Sequence, residues 1–368
     1  MNCILILLSF HMIFTKEIFE ETSIKNVKFK NRLFKGEVAS FSFIDGKITQ
    51  EFFNFYEEYA KNEIGTIITG GMFTDENYKL ASGLFFINDE KYIPEYKKLT
   101  SLLHKYDTKI ICQILPSGFN KEGKLIGPSD GCNTFYKQDI IEISKEEILS
   151  IEDEVAKAAL IAKKSGFDGI NFPVGHWGFF SLFFSPHYNK RNDEYGGSNE
   201  NRARIMTETM EKIRKNVGND YLIISKINCR ESFDDSFTIE DFIDYCKLAE
   251  KAGIDMLEIS SGDYRELKAK EYNGKPFYLE ETIKAAENVN IPVMLIGGIR
   301  DYDTMVDILK KTKIEYFGLT RPLICEPDLP KYWKENGNRK SKCISCNGCF
   351  KKHDCVFKGK NQKKNLKE

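Results

Sequence analysis

Two glycine–arginine segments carry the plainest chemistry in the chain. Gly297-Gly298-Ile299-Arg300 follows an apolar run and opens a helical pattern, and Gly318-Leu319-Thr320-Arg321-Pro322 closes the next apolar run. Paired glycines let backbone N–H groups approach a phosphate, and an arginine adds a bidentate cation. Either segment alone reads as a tight turn with a surface arginine. Both together, at successive strand ends, read as a phosphate site. A second cluster, Cys343-x-x-Cys346-x-x-Cys349-x5-Cys355, suits tetrahedral thiolate ligation of zinc or an iron–sulfur cluster. A reduced cysteine tail without metal is the plain alternative, and His353 lies in the last gap as a substitute ligand.

Positioning such groups requires a frame, and the hydrophobic pattern supplies one. Short apolar runs stand at 32–35, 65–69, 109–113, 168–172, 222–228, 256–260, 293–296 and 316–319. Between them lie segments with apolar residues at i, i+3, i+4 spacing, such as 146–164 and 239–251. Ser144-x-x-Glu147 and Thr238-x-x-Asp241 read as capping boxes, and Gly166 and Gly253 as helix ends. The strings AKKSGFD (162–168) and AEKAGID (249–255) echo one another, as repeated helix-to-strand handovers would. Eight strands, each followed by a helix, predict a single-domain α/β (β/α)8 TIM barrel. An open doubly wound sheet would carry an early G-x-G-x-x-G, which is missing. Lys121–Ile141 reads as a long loop.

The stretch Ser185–Arg204, SPHYNKRNDEYGGSNENRAR, follows the aromatic run Trp177–Phe184. Its Arg191, Asp193, Glu194, Arg202 and Arg204 are expected to pair with one another and fix a large polar loop, which would aim His176. The string resembles the SPxxNxRxDEYGGSxxNRxR signature of the old yellow enzyme family, the FMN-dependent NADH:flavin oxidoreductases and NADH oxidases, related to the barrel of 2,4-dienoyl-CoA reductase. The resemblance implies a flavoprotein that oxidises NADH or NADPH through FMN, and it assigns the phosphate to that cofactor. It carries Gln113 to the flavin's pyrimidine edge and Lys226 to the N1–C2 region, where a buried cation favours the reduced ring. Gly70 and its neighbours match the small residues beneath the ring. Gly36, within Lys35–Ala39, matches only loosely a backbone contact.

The same comparison exposes departures. The first family histidine of strand four is Pro173 here, the second is retained as His176, and the proton-donating tyrosine falls on Gly178. Pro116-Ser117-Gly118-Phe119 replaces the family's H-A-G-R. Ene reduction needs two donors on the substrate carbonyl and an acid for the α-carbon. One donor, His176, is left, and it too has a plainer reading as a packed or surface histidine. The expected activity is hydride transfer from NAD(P)H through flavin N5 to an activated alkene or quinone-like acceptor. A diaphorase-type electron carrier and a flavin-binding barrel without turnover stay beside it.

Composition narrows the partners. With 54 basic and 55 acidic residues the net charge is −1, so nothing favours nucleic acid or an anionic membrane, and a small-molecule substrate is expected. Self-association into a homo-oligomer is left open. The apolar start, 1–15, is too short for a membrane span and lacks a basic n-region, so it reads as an extension, with Met12 as an alternative start. The other six of the ten cysteines (Cys3, Cys112, Cys132, Cys229, Cys246, Cys325) are scattered, and a cytoplasmic protein with free thiols is expected. Residues 16–335 are assigned to the barrel and 336–368 to a Cys-rich basic tail, disordered after Phe357.

Overall fold

A computed structural model describes residues 16–38, 43–44, 47–76, 85–116, 118–133, 137–262, 275–352 and 354–356, with backbone only at 43–44, 47 and 351–352. The N-terminal extension, Met12, Cys3, Ala39, Ser117, His353 and the tail beyond Val356 lie outside the described residues.

Eight parallel strands close into a barrel: β1 Leu33–Lys35, β2 Thr66–Ile68, β3 Lys109–Leu115, β4 Gly169–Val174, β5 Leu222–Asn228, β6 Met256–Ser260, β7 Val293–Ile296 and β8 Tyr316–Leu319. Each pairs with the next, β8 returns to β1, and every pairing is parallel. The helices follow in step: α1 Gln50–Lys61, α2 Ile93–His104, α3 Lys145–Lys164, α4 Phe179–Phe184, α5 Asn199–Val217, α6 Ile239–Lys251, α7 Leu279–Asn288, α8 Tyr302–Lys311, α9 Arg321–Cys325 and α10 Leu329–Asn336. The expected (β/α)8 barrel is the fold.

Side chains alternate across a strand, and here that alternation sorts the whole site. Phe34, Ile68, Ile111, Leu222, Ile224, Met256, Met294 and Tyr316 fill the barrel interior, together with Ile24 and Phe29 of an N-terminal hairpin. Two residues further along β5 and β6, the same inward phase turns polar, giving Lys226, Asn228, Glu258 and Ser260. Apolar layers fill the barrel floor and polar side chains occupy its C-terminal mouth. The opposite phase packs the barrel against the helices.

Local signals explain the handovers. Ser144–Glu147 and Thr238–Asp241 both form reciprocal capping boxes. Gly166 and Gly253 adopt φ +84° and +92°, left-handed values that suit glycine at a helix end. The echoed aspartates after them do one job: Asp168 Oδ2 accepts from Ile110 N and Asp255 Oδ2 from Ile223 N, each at 2.8 Å. Each therefore pins the start of the preceding neighbour strand.

Two expectations need correction. The excursion after β3 is not a plain loop. It contains three short strands, Leu125–Gly127, Gly131–Asn133 and Gln138–Glu142, paired around the last. Its Gly127 and Ile140 lie against Leu182 of α4, and that packing gives the segment its own small core. In the 185–204 loop the charges pair with one another only in part. Arg191 binds Asp193, with Nε–Oδ1 at 3.0 Å, but its Nη1 donates to the Pro128 and Ile143 carbonyls at 3.1 and 2.8 Å. Arg204 Nε donates to the Glu194 carbonyl at 2.7 Å, whereas the Glu194 carboxylate pairs with Lys145. Arg202 reaches Tyr245 Oη at 2.9 Å and Asn199 Oδ1 at 2.6 Å. A guanidinium fork satisfies several acceptors at once, so these arginines staple the loop to α6 and to the β3 excursion.

Candidate active site

A cavity of about 540 Å³ opens at the C-terminal mouth of the barrel. Its apolar wall includes Val38, Phe277, Ile296, Leu319 and Ile324. One end is lined by Gly297, Gly298, Arg300, Thr320 and Arg321, and Glu37, Lys226, His176 and Ser260 also line it. A slot of this size, apolar with a few convergent polar groups, suits a planar cofactor.

The glycine turn is built for close approach. Gly297 and Gly298 have φ +84° and +80°, and a Cβ on Gly298 would stand 3.0 Å from the Pro276 backbone. The α8 N-terminus is already capped, since Asp301 Oδ1 accepts from Thr304 N at 2.9 Å. The glycine amides and the two arginines line this end beside it. Arg300 Nε is buried without a hydrogen-bond partner among the described residues, which leaves one donor for a ligand. Arg321 stacks over the Phe277 ring at 5.3 Å and donates to Asn347 Oδ1 at 2.5 Å. Burial lowers its pKa from the usual arginine range, against the raising effect of Cys343 and Cys349. These residues fit a phosphate carried on an elongated apolar ring system, as FMN is.

On β5, Lys226 is 2 % exposed. Its ammonium lies 2.8 Å from Glu258 Oε1 of β6, its register partner, and also pairs with Glu37 beyond β1. Asn171 Nδ2 donates to Glu258 Oε2 at 2.9 Å. Burial pushes the lysine's pKa down and Glu258 pulls it back.

His176 and Trp177 are consecutive non-glycine residues with φ +57° and +59°. That turn brings His176 Nε2 within 2.6 Å of Ser260 Oγ, and its backbone N–H donates to Asn228 Oδ1 at 3.1 Å. The ring thus meets β6 and the backbone of the same residue meets β5. Pro173 stands opposite Lys226 in β4, beyond the last register pair with β3. Gly178 is the N-cap of α4 and does not line the cavity.

Of the residues singled out in the sequence, His176, Lys226, Gly297, Gly298, Arg300, Thr320, Arg321 and Cys349 share this cavity. Gly36, Gly70 and Gln113 do not line it. Gly36 lets β1 meet β8, because a Cβ there would stand 2.3 Å from Thr320 Oγ1. Gly70 N donates to Tyr56 Oη at 3.0 Å. Gln113 is buried beside Gly71, at the end of β2. Sequence reasoning missed Glu37 and Glu258 as partners of Lys226, although acids in or beside adjacent apolar strands were a usable signal. Phe277 gave no such signal.

The cysteine tail folds back onto the mouth. Buried Glu326 accepts from Ser341 Oγ at 2.9 Å and from Lys342 N at 2.5 Å, and Ser341 N donates to the Arg300 carbonyl at 2.7 Å. Ser345, Cys349 and Phe350 thereby become part of the cavity wall. Cys343, Cys346, Cys349 and Cys355 line a second hollow of about 20 Å³, which shares Arg321 with the first. They do not converge into an assembled metal site among the described residues. Cys325, scattered in sequence, lies in hydrogen-bond reach of Cys355, and burial raises its pKa to about 12. Cys112, Cys229 and Cys246 are buried free thiols that pack as small apolar groups. No described helix is long and apolar enough to cross a membrane.

The chain shares its TIM-barrel fold with solved enzymes: a 2-naphthoyl-CoA reductase complex superposes with TM-score 0.83 at 23 % identity, over 90 % of this chain and 54 % of the other. The old yellow enzyme homologue of Zymomonas mobilis gives 0.73 at 19 % identity, over 89 % and 95 %. The model of the NADH:flavin oxidoreductase / NADH oxidase family matches residues 17–340, and the chain belongs to that family. It is 31 % identical over 348 residues to the NADH oxidase of Thermoanaerobacter brockii, covering 90 % of this chain and 53 % of the relative. It is 29 % identical to the metal reductase of Desulforamulus reducens, covering 93 % and 52 %. The chain thus spans about half the length of these curated relatives.

Proposed function

We propose that the barrel binds FMN in the mouth cavity and passes reducing equivalents from NADH or NADPH to a small acceptor, an activated alkene or a quinone-like compound. The observation that carries this is the convergence of the Gly297-Gly298 amides, the unpartnered Arg300 Nε and Arg321 at one end of an apolar slot. When bound, the flavin supplies a two-electron carrier that takes hydride at N5 and returns it. The amides and arginines hold its phosphate, Lys226 offers positive charge along the slot, and the apolar wall excludes water. His176, fixed by Ser260 and Asn228, presents its imidazole to the acceptor's oxygen.

A diaphorase-type reaction is the second reading. It is favoured by Gly178, which stands where the family's acid stands, carries no side chain, and is spent on capping α4. We also propose that the four tail cysteines hold an iron–sulfur cluster or zinc, since they surround one hollow that shares Arg321 with the cavity. The visible spectrum of the purified protein tests both cofactors. Flavin bands with a broad iron–sulfur shoulder are expected, and metal analysis separates zinc from iron. Stopped-flow mixing with NAD(P)H is then expected to bleach the flavin, and persistent colour leaves only a binding module. Faster re-oxidation by a quinone than by cyclohexenone supports the loss of acid catalysis, and equal rates overturn it.

A further inference from the structure

Lys226 is faced by more negative charge than it can neutralise. Glu258 is fully buried, is the register partner of Lys226, and pairs with it at 2.8 Å while Asn171 satisfies its other oxygen. A carboxylate that deep requires its cation, so this pair is complete by itself. Glu37 then forms a second ion pair with the same ammonium, and unlike Glu258 it is part of the cavity wall. One lysine against two glutamates leaves a formal charge of −1 among the three side chains. The compensating arginines, Arg300 and Arg321, follow β7 and β8 at the phosphate end.

We propose that Glu37 sets the reduction potential of the bound flavin by sharing Lys226 and weakening the positive field that this lysine presents to the cavity. The proposal rests on the FMN reading above. Uptake of a hydride, two electrons with one proton, adds one negative charge to the flavin. A lone ammonium beside the ring favours that charge, and a carboxylate beside the ammonium opposes it. Glu37 thus makes the reduced cofactor a stronger donor than the Lys226–Glu258 pair by itself would allow. The same carboxylate lowers the affinity for reduced FMN relative to oxidised FMN.

The test is the two-electron midpoint potential of FMN in the full-length protein, measured by dye equilibration for wild type, Glu37→Gln, Glu37→Asp and Glu37→Ala. Glu37→Gln is expected to favour reduced over oxidised FMN about tenfold more than wild type does, a rise of about 30 mV for a two-electron couple. Glu37→Ala moves the same way, and Glu37→Asp, which keeps the charge, stays near wild type. Should Glu37→Gln fail to fold, Glu37→Ala carries the same expectation. A flavin-loaded neutral variant with an unchanged or lower potential overturns the proposal alone. A wild-type chain that takes up no FMN overturns the underlying reading first, before any variant is made.

Discussion

Two buried lysines stand at strand ends of this barrel, and their surroundings differ in every respect that matters. Lys226 points into the barrel mouth and meets two carboxylates. Lys35, at the end of β1, has the opposite pleat phase and points outward against α1. Its ammonium meets the Gly36 carbonyl at 3.0 Å and the rings of Phe55, Tyr56 and Tyr59 at 5.3, 5.5 and 5.2 Å, with no carboxylate partner among the described residues. Burial lowers both pKa values, and that of Lys35 falls to about 7. The inward lysine is a cavity-lining charge held by ion pairs. The outward one is a burial cost that three aromatic faces offset only in part.

The sharpest way to break this contrast is to remove each ammonium. Lys226→Met leaves Glu258 buried and unpaired, and denaturant melts are expected to show a loss of about 3–5 kcal/mol. Adding Glu258→Leu is expected to restore much of it. Lys35→Met is expected to do the opposite, gaining about 3–5 kcal/mol below pH 7. The sign follows from proton counting. Between the native pKa of about 7 and the ordinary 10.5, the unfolded chain holds a proton that the native chain lacks, so wild-type stability rises with pH across that window. The advantage of Lys35→Met therefore fades from pH 7 toward 10.5, and an advantage that grows with pH sinks the assignment.

A third buried cation sharpens the point that orientation decides use. Arg321 faces the cavity, and Arg321→Ala is expected to weaken FMN binding about 10–100-fold, worth roughly 1.5–3 kcal/mol, by fluorescence titration. Lys35→Met is expected to leave that affinity unchanged. The smallest effect belongs to the frame: Arg191→Lys keeps a charge but loses the fork on Pro128, Ile143 and Asp193. We expect about 1–2 kcal/mol of lost stability in thermal melts, with an unaltered flavin potential.

These contrasts also mark what could be read from the residues. The barrel, its strand positions and the capping boxes were legible because they depend on short-range periodicity and local turns. The glycine–arginine segments were legible for the same reason, each being a few contiguous residues. Gly36, Gly70 and Gln113 were carried over by resemblance alone and do not line the cavity. Glu37 and Glu258 were visible as acids in or beside apolar strands, but their pairing with Lys226 was missed because the partner lies on another strand. The inward setting of Phe34 already implied that Lys35 points away from the mouth, an inference the alternation rule allowed. The contacts of His176 with Asn228 and Ser260 could not be read because those residues are distant in sequence.

The left-handed corner at His176 and Trp177 has one more consequence. Non-glycine residues in that conformation cost of order 1–3 kcal/mol each, and asparagine tolerates it better than histidine. Selection for heat resistance alone would therefore drift toward His176→Asn, trading the imidazole for a calmer backbone. A hardier chain found that way would have lost the ring that meets Ser260 at the cavity wall.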